Sequence, residues 1–273
     1  KHFKHRRIIK RRRIIMPINS NKFIIMGHRG ASGYEPENTL RSFKRAIDMG
    51  VDMIELDVYL CKSGEAVVIH DDTIDRTTNG KGKVKELSWD QLKKFDAGKG
   101  EHIPLLSQVF DLVQTLSLDT PVYAKATSGT RDERENKFNK KIIINIEIKD
   151  PQATRPVSQL IKNYIKDKGW SVNNFIVSSF DHDAISRFHN YLPDVKTGAL
   201  FESNSTGIVE KTKQANASYV IIDYKSATNE LIDLVHKSGL KIFAYTVNSK
   251  PEAEKLITLN IDGIATNYPD ILG

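Results

Sequence analysis

The sequence of 273 residues contains a single cysteine, Cys61, and has no stretch of about 18 consecutive apolar residues. One cysteine excludes an internal disulfide and a zinc site built from several cysteines. Without a long apolar stretch the chain lacks a membrane-spanning helix, and the short apolar pairs near its start do not form the core of a signal peptide. We therefore expect a cytoplasmic protein.

Acidic residues are missing from the first 22 positions, which carry nine of the 41 lysine and arginine residues. The remaining chain has 32 basic residues against 34 acidic ones, so the net charge of +7 comes from this segment. We expect residues 1–22 to form a disordered basic tail, with weak contact to an anionic membrane surface as the alternative. Nothing in the remaining chain requires nucleic acid as a partner.

Short apolar segments alternate with helical patterns over most of the chain from residue 23 onward. Eight segments have the length and composition of strands, beginning near residues 23, 53, 142, 175, 195, 219, 241 and 262. Eight strands that alternate with helices predict an α/β fold, a TIM (β/α)8 barrel. We expect residues 23–273 to form this barrel as a single domain.

Residues 66–70 form a further strand-like segment that lies outside this alternation. The connection 61–65 before it is too short for a helical crossover, so an antiparallel return is expected. The polar, glycine-rich residues that follow indicate a small insertion over about 60–104, after the second barrel strand. A charged segment at about 118–141 lacks apolar periodicity and is typical of a loop.

The second predicted strand carries two acidic residues near its end. Side chains in a strand alternate between faces, so Glu55 and Asp57 point away from the face of Ile54, Leu56 and Val58. A solvated acidic face is the ordinary alternative. In a barrel, however, catalytic groups gather at the carboxyl ends of the strands. Other predicted strands also have polar residues at or after that end, namely His28, Arg29, Glu147, Lys149, Ser179, Asn248 and Asn267.

These residue types indicate a site for a phosphate-containing substrate. The carboxylates of Glu55, Asp57 and Glu147 favour one hard divalent cation, Mg²⁺ or Ca²⁺, because such ions prefer oxygen ligands. Arg29 and Lys149 add positive charge that suits a phosphate group. A structural ion network without a metal is the alternative interpretation of the same charges.

Two histidines complete this set of residues. His28 and His70 come from different predicted loops and suit a general base and general acid pair. A cation and cationic side chains would stabilise the charge that develops when a phosphodiester is cleaved, and the histidines would move the protons. The set therefore predicts phosphodiester hydrolysis.

A series of motifs supports this interpretation. They are His-Arg-Gly at 28–30, Pro-Glu-Asn-Thr at 36–39, Glu-x-Asp at 55–57, His-Asp at 70–71, Arg-Thr-Thr-Asn-Gly-Lys-Gly at 76–82, Glu-Ile-Lys at 147–149, Ser-Phe at 179–180 and Thr-Val-Asn at 246–248. With these motifs residues 23–273 resemble the glycerophosphodiester phosphodiesterase family, TIM barrels with an insertion after the second strand. The resemblance implies metal-dependent hydrolysis of small glycerophosphodiesters to sn-glycerol 3-phosphate and an alcohol.

The resemblance also implies roles for single residues. The metal ligands are Glu55, Asp57 and Glu147, the acid/base pair is His28 and His70, and the substrate-binding residues are Arg29, Lys149, Tyr245, Glu37 and Asn38. Of these, Glu37 and Asn38 belong to a motif that holds the loop of the site in the family. Three departures concern Tyr245, where tryptophan is usual, Asn267, where aspartate is common in bacterial members, and the long segment 118–141.

Two other functions stay open at this point. Lysophospholipase D or phospholipase-like hydrolysis of lipid phosphodiesters would need an apolar rim, for which Phe180, Tyr224, Tyr245 and Tyr268 are candidates. A non-catalytic barrel that binds an anionic partner through its basic tail is the second, although such a module has no need of the histidines and carboxylates.

Overall fold

The computed structural model describes residues 23–118, 142–203 and 206–273. The disordered tail and membrane contact predicted for residues 1–22, and nearly all of the loop predicted at about 118–141, lie outside these residues and stay predictions. Among the described residues, no helix is both long and apolar enough to cross a membrane.

A closed ring of eight parallel strands forms the centre of the described structure. In chain order the strands are β1 (Ile24–Gly27), β2 (Met53–Leu60), β3 (Ala66–Val68), β4 (Ile143–Ile148), β5 (Phe175–Ser179), β6 (Lys196–Phe201), β7 (Tyr219–Asp223), β8 (Lys241–Tyr245) and β9 (Gly263–Thr266). Pairing of β9 with β1 closes the ring, and β3 pairs antiparallel with β2 outside it. The predicted TIM barrel, its eight strands and the antiparallel return are confirmed.

Helices follow the strands and, apart from a short one in the insertion, cover the outside of the ring. In the described residues they are α1 (Leu40–Asp48), α2 (Trp89–Leu92), α3 (Leu106–Leu118), α4 (Thr154–Lys168), α5 (His182–Tyr191), α6 (Ile208–Gln214), α7 (Asn229–Lys237) and α8 (Lys250–Thr258). Helix α4 has Pro156 as its third residue. Proline is tolerated in the first turn of a helix, where its missing N–H has no partner to lose.

Two apolar clusters lie on opposite sides of the barrel wall. The inner cluster contains Met26, Met53, Ile176, Leu200, Tyr219, Ile221, Phe243 and Ala265. The outer cluster, between strands and helices, includes Ile54, Leu56 and Val58 of β2. Because Glu55 and Asp57 have the same parity as Met53, they face the interior of the barrel, as the alternation along this strand predicts.

Strand β2 continues beyond the barrel into the insertion. It pairs with β4 from Met53 to Val58 and with β3 from Val58 to Leu60. Glu55 and Asp57 therefore lie inside β2, and the expectation that they stand at the end of this strand is wrong. Asp57 is, however, close to the end of the part of β2 that belongs to the barrel. The insertion has its own apolar core, made of Cys61, Val67, Ile69, Ile74, Val84, Leu92 and Ile103.

Candidate active site

Three carboxylates meet inside the mouth of the barrel. The register of β2 with β4 places Asp57 opposite Glu147 and Glu55 opposite Asn145. One ligand atom each from Glu55, Asp57 and Glu147 lies within 4.8 Å of the other two, and all three residues are buried. Strand pairing alone thus brings together acidic groups that are 90 positions apart in the chain.

This crowding makes the carboxylates hard to ionise together. Burial, with added repulsion from Asp57 and Glu147, raises the pKa of Glu55 well above its usual range. Burial and the Asp57 carboxylate raise the pKa of Glu147 to about 7, against the opposing effect of Lys149. Like charges at such short distances in a buried site disfavour each other's charged form. A bound cation would remove this penalty.

One carboxylate oxygen is available for such an ion. Glu55 Oε2 accepts a hydrogen bond from the backbone N–H of Arg29 at 2.8 Å, whereas Glu55 Oε1 is buried and has no hydrogen-bond partner among the described residues. A buried oxygen without a partner is costly unless an ion or water satisfies it. Three carboxylates, one of which has this unpartnered oxygen, are compatible with a divalent metal ion.

Two cationic side chains border the carboxylates. Arg29 Nε lies 3.4 Å from Asp57 Oδ2. Lys149 Nζ lies 2.6 Å from Glu147 Oε1 and 3.4 Å from Asp57 Oδ1. Burial lowers the pKa of Lys149, but Glu147 and Asp57 outweigh this effect and raise the pKa above its usual value. Lys149 is therefore protonated, and the mouth holds two fixed positive charges beside the acidic cluster.

The loop after β1 places its side chains through unusual backbone angles. Arg29 has φ 55° and Asn38 has φ 58°, a left-handed conformation that costs free energy in most residues. Asn38 Nδ2 donates to Asp57 Oδ2 at 2.8 Å, so the strained residue orients a carboxylate of the cluster. Asn38, a predicted substrate-binding residue, thus contacts Asp57, a predicted metal ligand.

His28 follows β1 and is held by the residue that follows the neighbouring strand β9. Its Nδ1 lies 2.7 Å from Asn267 Oδ1, and Ser32 Oγ donates to the same oxygen at 2.9 Å. The acceptor carries no hydrogen, so His28 Nδ1 holds the proton and Nε2 has a free lone pair. Burial, together with the positive charge of Arg29, lowers the pKa of His28 to about 4. The ring is therefore neutral near pH 7.

His70 enters the site from the insertion, directly after β3. Its Nδ1 lies 2.6 Å from Asp71 Oδ1. Hydrogen bonds from Arg76 hold the pKa of Asp71 well below its usual range, against a smaller opposing effect of burial. The acceptor is thus an ionised carboxylate, which leaves His70 Nε2 as the nitrogen that can exchange a proton with a ligand.

Glu37 connects the two histidine loops. Its Oε1 accepts from Arg29 Nη1 at 2.8 Å, and both its oxygens accept from Arg76 at 2.8 Å. Burial tends to raise the pKa of Glu37, but the two arginines outweigh it and hold the pKa at about 2. Both oxygens of Glu37 are thus already engaged by arginines, which leaves substrate binding by this residue a prediction.

Aromatic residues lie beside Lys149 at the rim. The Tyr245 hydroxyl donates to the backbone oxygen of Phe201 at 3.0 Å, and burial raises the pKa of this tyrosine. Phe180, which is 41% exposed, contacts the Tyr245 ring edge to face at 6.2 Å between ring centres. Lys149 Nζ lies 5.7 Å from the centre of the Phe180 ring. Tyr245 therefore supports the wall of the mouth rather than exposing its hydroxyl there.

Sequence reasoning did not assign roles to three residues that contact the site. Arg76 and Asp71 hold His70, and Ser32 supports Asn267. Arg76 lies in the Arg-Thr-Thr motif and Asp71 in the His-Asp motif, so a signal for both was present. Ser32 has no such signal, because a serine in a loop of glycine and proline is common.

Comparison with known proteins identifies relatives of this chain. The model of the glycerophosphoryl diester phosphodiesterase family matches residues 28–271. YhdW of Bacillus subtilis is 36% identical over 259 residues, which cover 91% of this chain and 96% of that protein. The glycerophosphodiester phosphodiesterase of Caldanaerobacter subterraneus is 36% identical over 262 residues, with 92% and 96% of the two chains covered.

A solved structure also resembles the whole described fold. The crystal structure of the glycerophosphodiester phosphodiesterase of Thermotoga maritima has a TM-score of 0.69 and 28% sequence identity, and the match covers 93% of this chain and 98% of that one. Family model, relatives and barrel architecture lead to one assignment. The chain belongs to the glycerophosphoryl diester phosphodiesterase family.

Proposed function

We propose that this protein hydrolyses glycerophosphodiesters to sn-glycerol 3-phosphate and an alcohol. The observation that carries the proposal is a buried carboxylate cluster flanked by two cations, with His28 next to one of them and His70 linked to the same cation, Arg29, by hydrogen bonds. These groups can hold a phosphodiester, move protons on both sides of it and stabilise added negative charge.

The cluster of Glu55, Asp57 and Glu147 would hold one divalent cation, Mg²⁺ or Ca²⁺. The all-oxygen donor set, the repulsion among the carboxylates and the unpartnered Glu55 Oε1 support this assignment. When bound, the cation supplies positive charge that stabilises the phosphoryl oxygens as the phosphodiester is cleaved.

Arg29 and Lys149 bind the phosphate group in this proposal. Both are charged at neutral pH and both already lie beside the carboxylates, so they need little rearrangement to meet a phosphate oxygen. Phe180 and Tyr245 form the neighbouring wall, against which the glycerol or alcohol part of the substrate would pack.

The two histidines have different surroundings, which suggests different roles. His28, with a pKa of about 4, is neutral near pH 7, and its Nε2 can accept the proton of the attacking hydroxyl group of water or of the glycerol 2-position. His70 in its protonated form, with its charge balanced by the ionised Asp71, can donate the Nε2 proton to the leaving alcohol oxygen, which leaves the neutral ring with its proton on Nδ1. The proton accepted on one side is thus balanced by the one donated on the other.

The proposal is tested with glycerophosphocholine, with product glycerol 3-phosphate measured after EDTA treatment and after Mg²⁺ or Ca²⁺ is restored. We expect EDTA to abolish release and one cation to restore it in the wild type but not in Glu55→Gln. Lysophosphatidylcholine is assayed in parallel. A strong preference for this lipid would replace the proposed substrate class, and no release from either compound with any cation would contradict the proposal.

A further inference from the structure

The side chain of Arg76 connects two acidic residues from different parts of the fold. Its Nη1 and Nη2 donate to Glu37 Oε2 and Oε1, both at 2.8 Å. Its Nε and Nη2 donate to Asp71 Oδ2 at 2.7 Å and Oδ1 at 3.1 Å. Each carboxylate is thus held by two nitrogens, the geometry in which arginine fixes orientation as well as charge.

Each of these acidic residues also contacts a residue of the candidate active site. Asp71 Oδ1 is 2.6 Å from His70 Nδ1, and Glu37 Oε1 is 2.8 Å from Arg29 Nη1. A continuous network of hydrogen bonds therefore runs from Arg29 through Glu37, Arg76 and Asp71 to His70. It joins the loop after β1 to the insertion that carries His70.

The bond to Asp71 determines which nitrogen of His70 carries a proton in the neutral ring. Since an ionised carboxylate only accepts, His70 Nδ1 must donate, and Nε2 is left for the reaction. The side chains of His70 and Asp71 are 31% and 26% exposed, so packing does not enclose either of them completely. Arg76 removes the freedom of Asp71 because it binds both carboxylate oxygens.

We propose that Arg76 is a positioning residue for His70. By fixing the Asp71 carboxylate, Arg76 sets the ring orientation and the tautomer of His70 without contacting the substrate itself. The inference rests on the proposed function, which gives His70 the role of proton donor to the leaving alcohol.

A second ion pair allows this role to be separated from simple attachment of the insertion. Lys99, also in the insertion, has its Nζ 2.8 Å from Glu35 Oε2 and donates to the backbone oxygen of Tyr34 at 2.8 Å. Glu35 belongs to the same loop as Glu37, and the Lys99 and Arg76 side chains are 51% and 47% exposed. Among the described contacts, this second bridge does not reach a histidine. Lys99→Gln is therefore the matched control for Arg76→Gln.

The kinetic test compares Arg76→Gln, Asp71→Asn, their double variant and Lys99→Gln in the full chain. We expect Arg76→Gln to lower kcat by about 10- to 100-fold with little change in KM, as for other residues that orient a reactive side chain. Because Arg76 acts through Asp71, the double variant should lose about as much as Asp71→Asn alone. Lys99→Gln should keep wild-type kcat, and equal losses in Lys99→Gln and Arg76→Gln would overturn the inference.

The second readout is independent of turnover. Nitrogen-15 NMR of the neutral His70 ring, assigned with His70→Gln, should show the Nδ1–H tautomer in the wild type and a mixture in Arg76→Gln. An unchanged tautomer would contradict the role of Arg76, even if the wild type did not hydrolyse glycerophosphodiesters and the proposed function failed. If Arg76→Gln does not fold, Arg76→Lys serves instead, because lysine keeps the charge but cannot bind two carboxylates in this paired manner.

Discussion

At the scale of single residues, the two histidines differ in the group that holds Nδ1. His28 donates to the neutral amide oxygen of Asn267, and His70 donates to the carboxylate of Asp71. A carboxylate can balance the charge of a protonated ring, whereas an amide cannot. In the proposed reaction, these two environments would assign the base role to His28 and the acid role to His70.

Removal of either ring should stop most of the reaction. We expect His28→Ala and His70→Ala each to lower kcat by about 10²–10⁴-fold, the usual contribution of a general acid or base, with the fold preserved by circular dichroism. His102→Ala is the control, since this exposed histidine bonds to the backbone oxygen of Phe95 within the insertion. Near-normal turnover in His28→Ala or His70→Ala would remove that residue from the mechanism.

The amide next to His28 predicts a pH effect. In the wild type the pKa of about 4 keeps His28 in its neutral, active form at any pH above that value. Asn267→Asp would place a carboxylate beside Nδ1 of His28. Its negative charge would favour the protonated ring and raise the pKa of His28. We expect the acidic limb of kcat/KM against pH to move up by about one unit or more. An unmoved limb would show that His28 is not the group whose protonation limits activity.

The residue types of the site are readable from the sequence, but their contacts are only partly so. Glu55, Asp57 and Glu147 are predictable as a cluster because strand periodicity and barrel topology bring them together. The sequence does not show that Arg76 connects Glu37 to Asp71, because this contact spans 39 positions and depends on how the insertion lies on the barrel.

At the scale of elements, the short turn between β1 and the loop that carries Arg29 depends on one glycine. Gly30 has φ +81°, and a Cβ there would lie 2.4 Å from Ser42 Oγ and 2.6 Å from the Ser42 carbonyl carbon of α1. The helix therefore packs directly on the backbone beside His28. Only a residue without a side chain fits at this position.

Substitution of this glycine should cost stability as well as activity. We expect Gly30→Ala to lower the free energy of unfolding by about 2–4 kcal/mol, from backbone strain and from overlap with Ser42. Gly50→Ala is the control, because Gly50 has φ +86° but a Cβ at that position would meet nothing within 4 Å, and strain alone should cost about 1 kcal/mol. Urea denaturation measures both, and equal losses would argue against the steric contact.

The start of an element was predictable where the sequence carries a cap, as at Ser88 and Gln91, whose Ser-x-x-Gln spacing is typical of the capping box that begins α2. The end of β2 was not, because the same strand serves two partners. Its barrel part and its hairpin part have one continuous alternation of side chains, and nothing in residues 53–60 marks the change from β4 to β3 as partner.

At the scale of the whole molecule, we expect the acidic cluster to make the free energy of unfolding depend on pH and on added divalent cation. The pKa of Glu147 is raised to about 7 in the folded protein. Its contribution to the free energy of unfolding is therefore fully present below about pH 4.5 and is lost as the pH rises through about 7. His28, with its lowered pKa, changes stability in the opposite direction over much of this range. The difference between wild type and a Glu147 variant therefore isolates the carboxylate.

We expect the free energy of unfolding of Glu147→Gln, relative to that of the wild type, to rise by about 2–3 kcal/mol from pH 4.5 to pH 8 in EDTA. The reason is that the variant does not have to bury the charge that Glu147 acquires over this range. Addition of Mg²⁺ or Ca²⁺ at pH 8 should raise the melting temperature of the wild type but not that of Glu147→Gln. Calorimetry measures both effects, with the exposed Glu86→Gln as control. A variant that still responds to both cations would exclude Glu147 as a ligand.

The closure of the barrel by β1 and β9 has a consequence for biosynthesis. The contact between His28 and Asn267 joins residues 239 positions apart, and β1 lacks one of its two partner strands until β9 has been made. A ribosome-bound chain thus carries an open strand edge, which is prone to pairing with other chains. Its His28 ring also lacks the Asn267 partner that orients it. The bond that orients His28 therefore forms only after β9 has been made, and a chain that stops before β9 keeps an exposed strand edge.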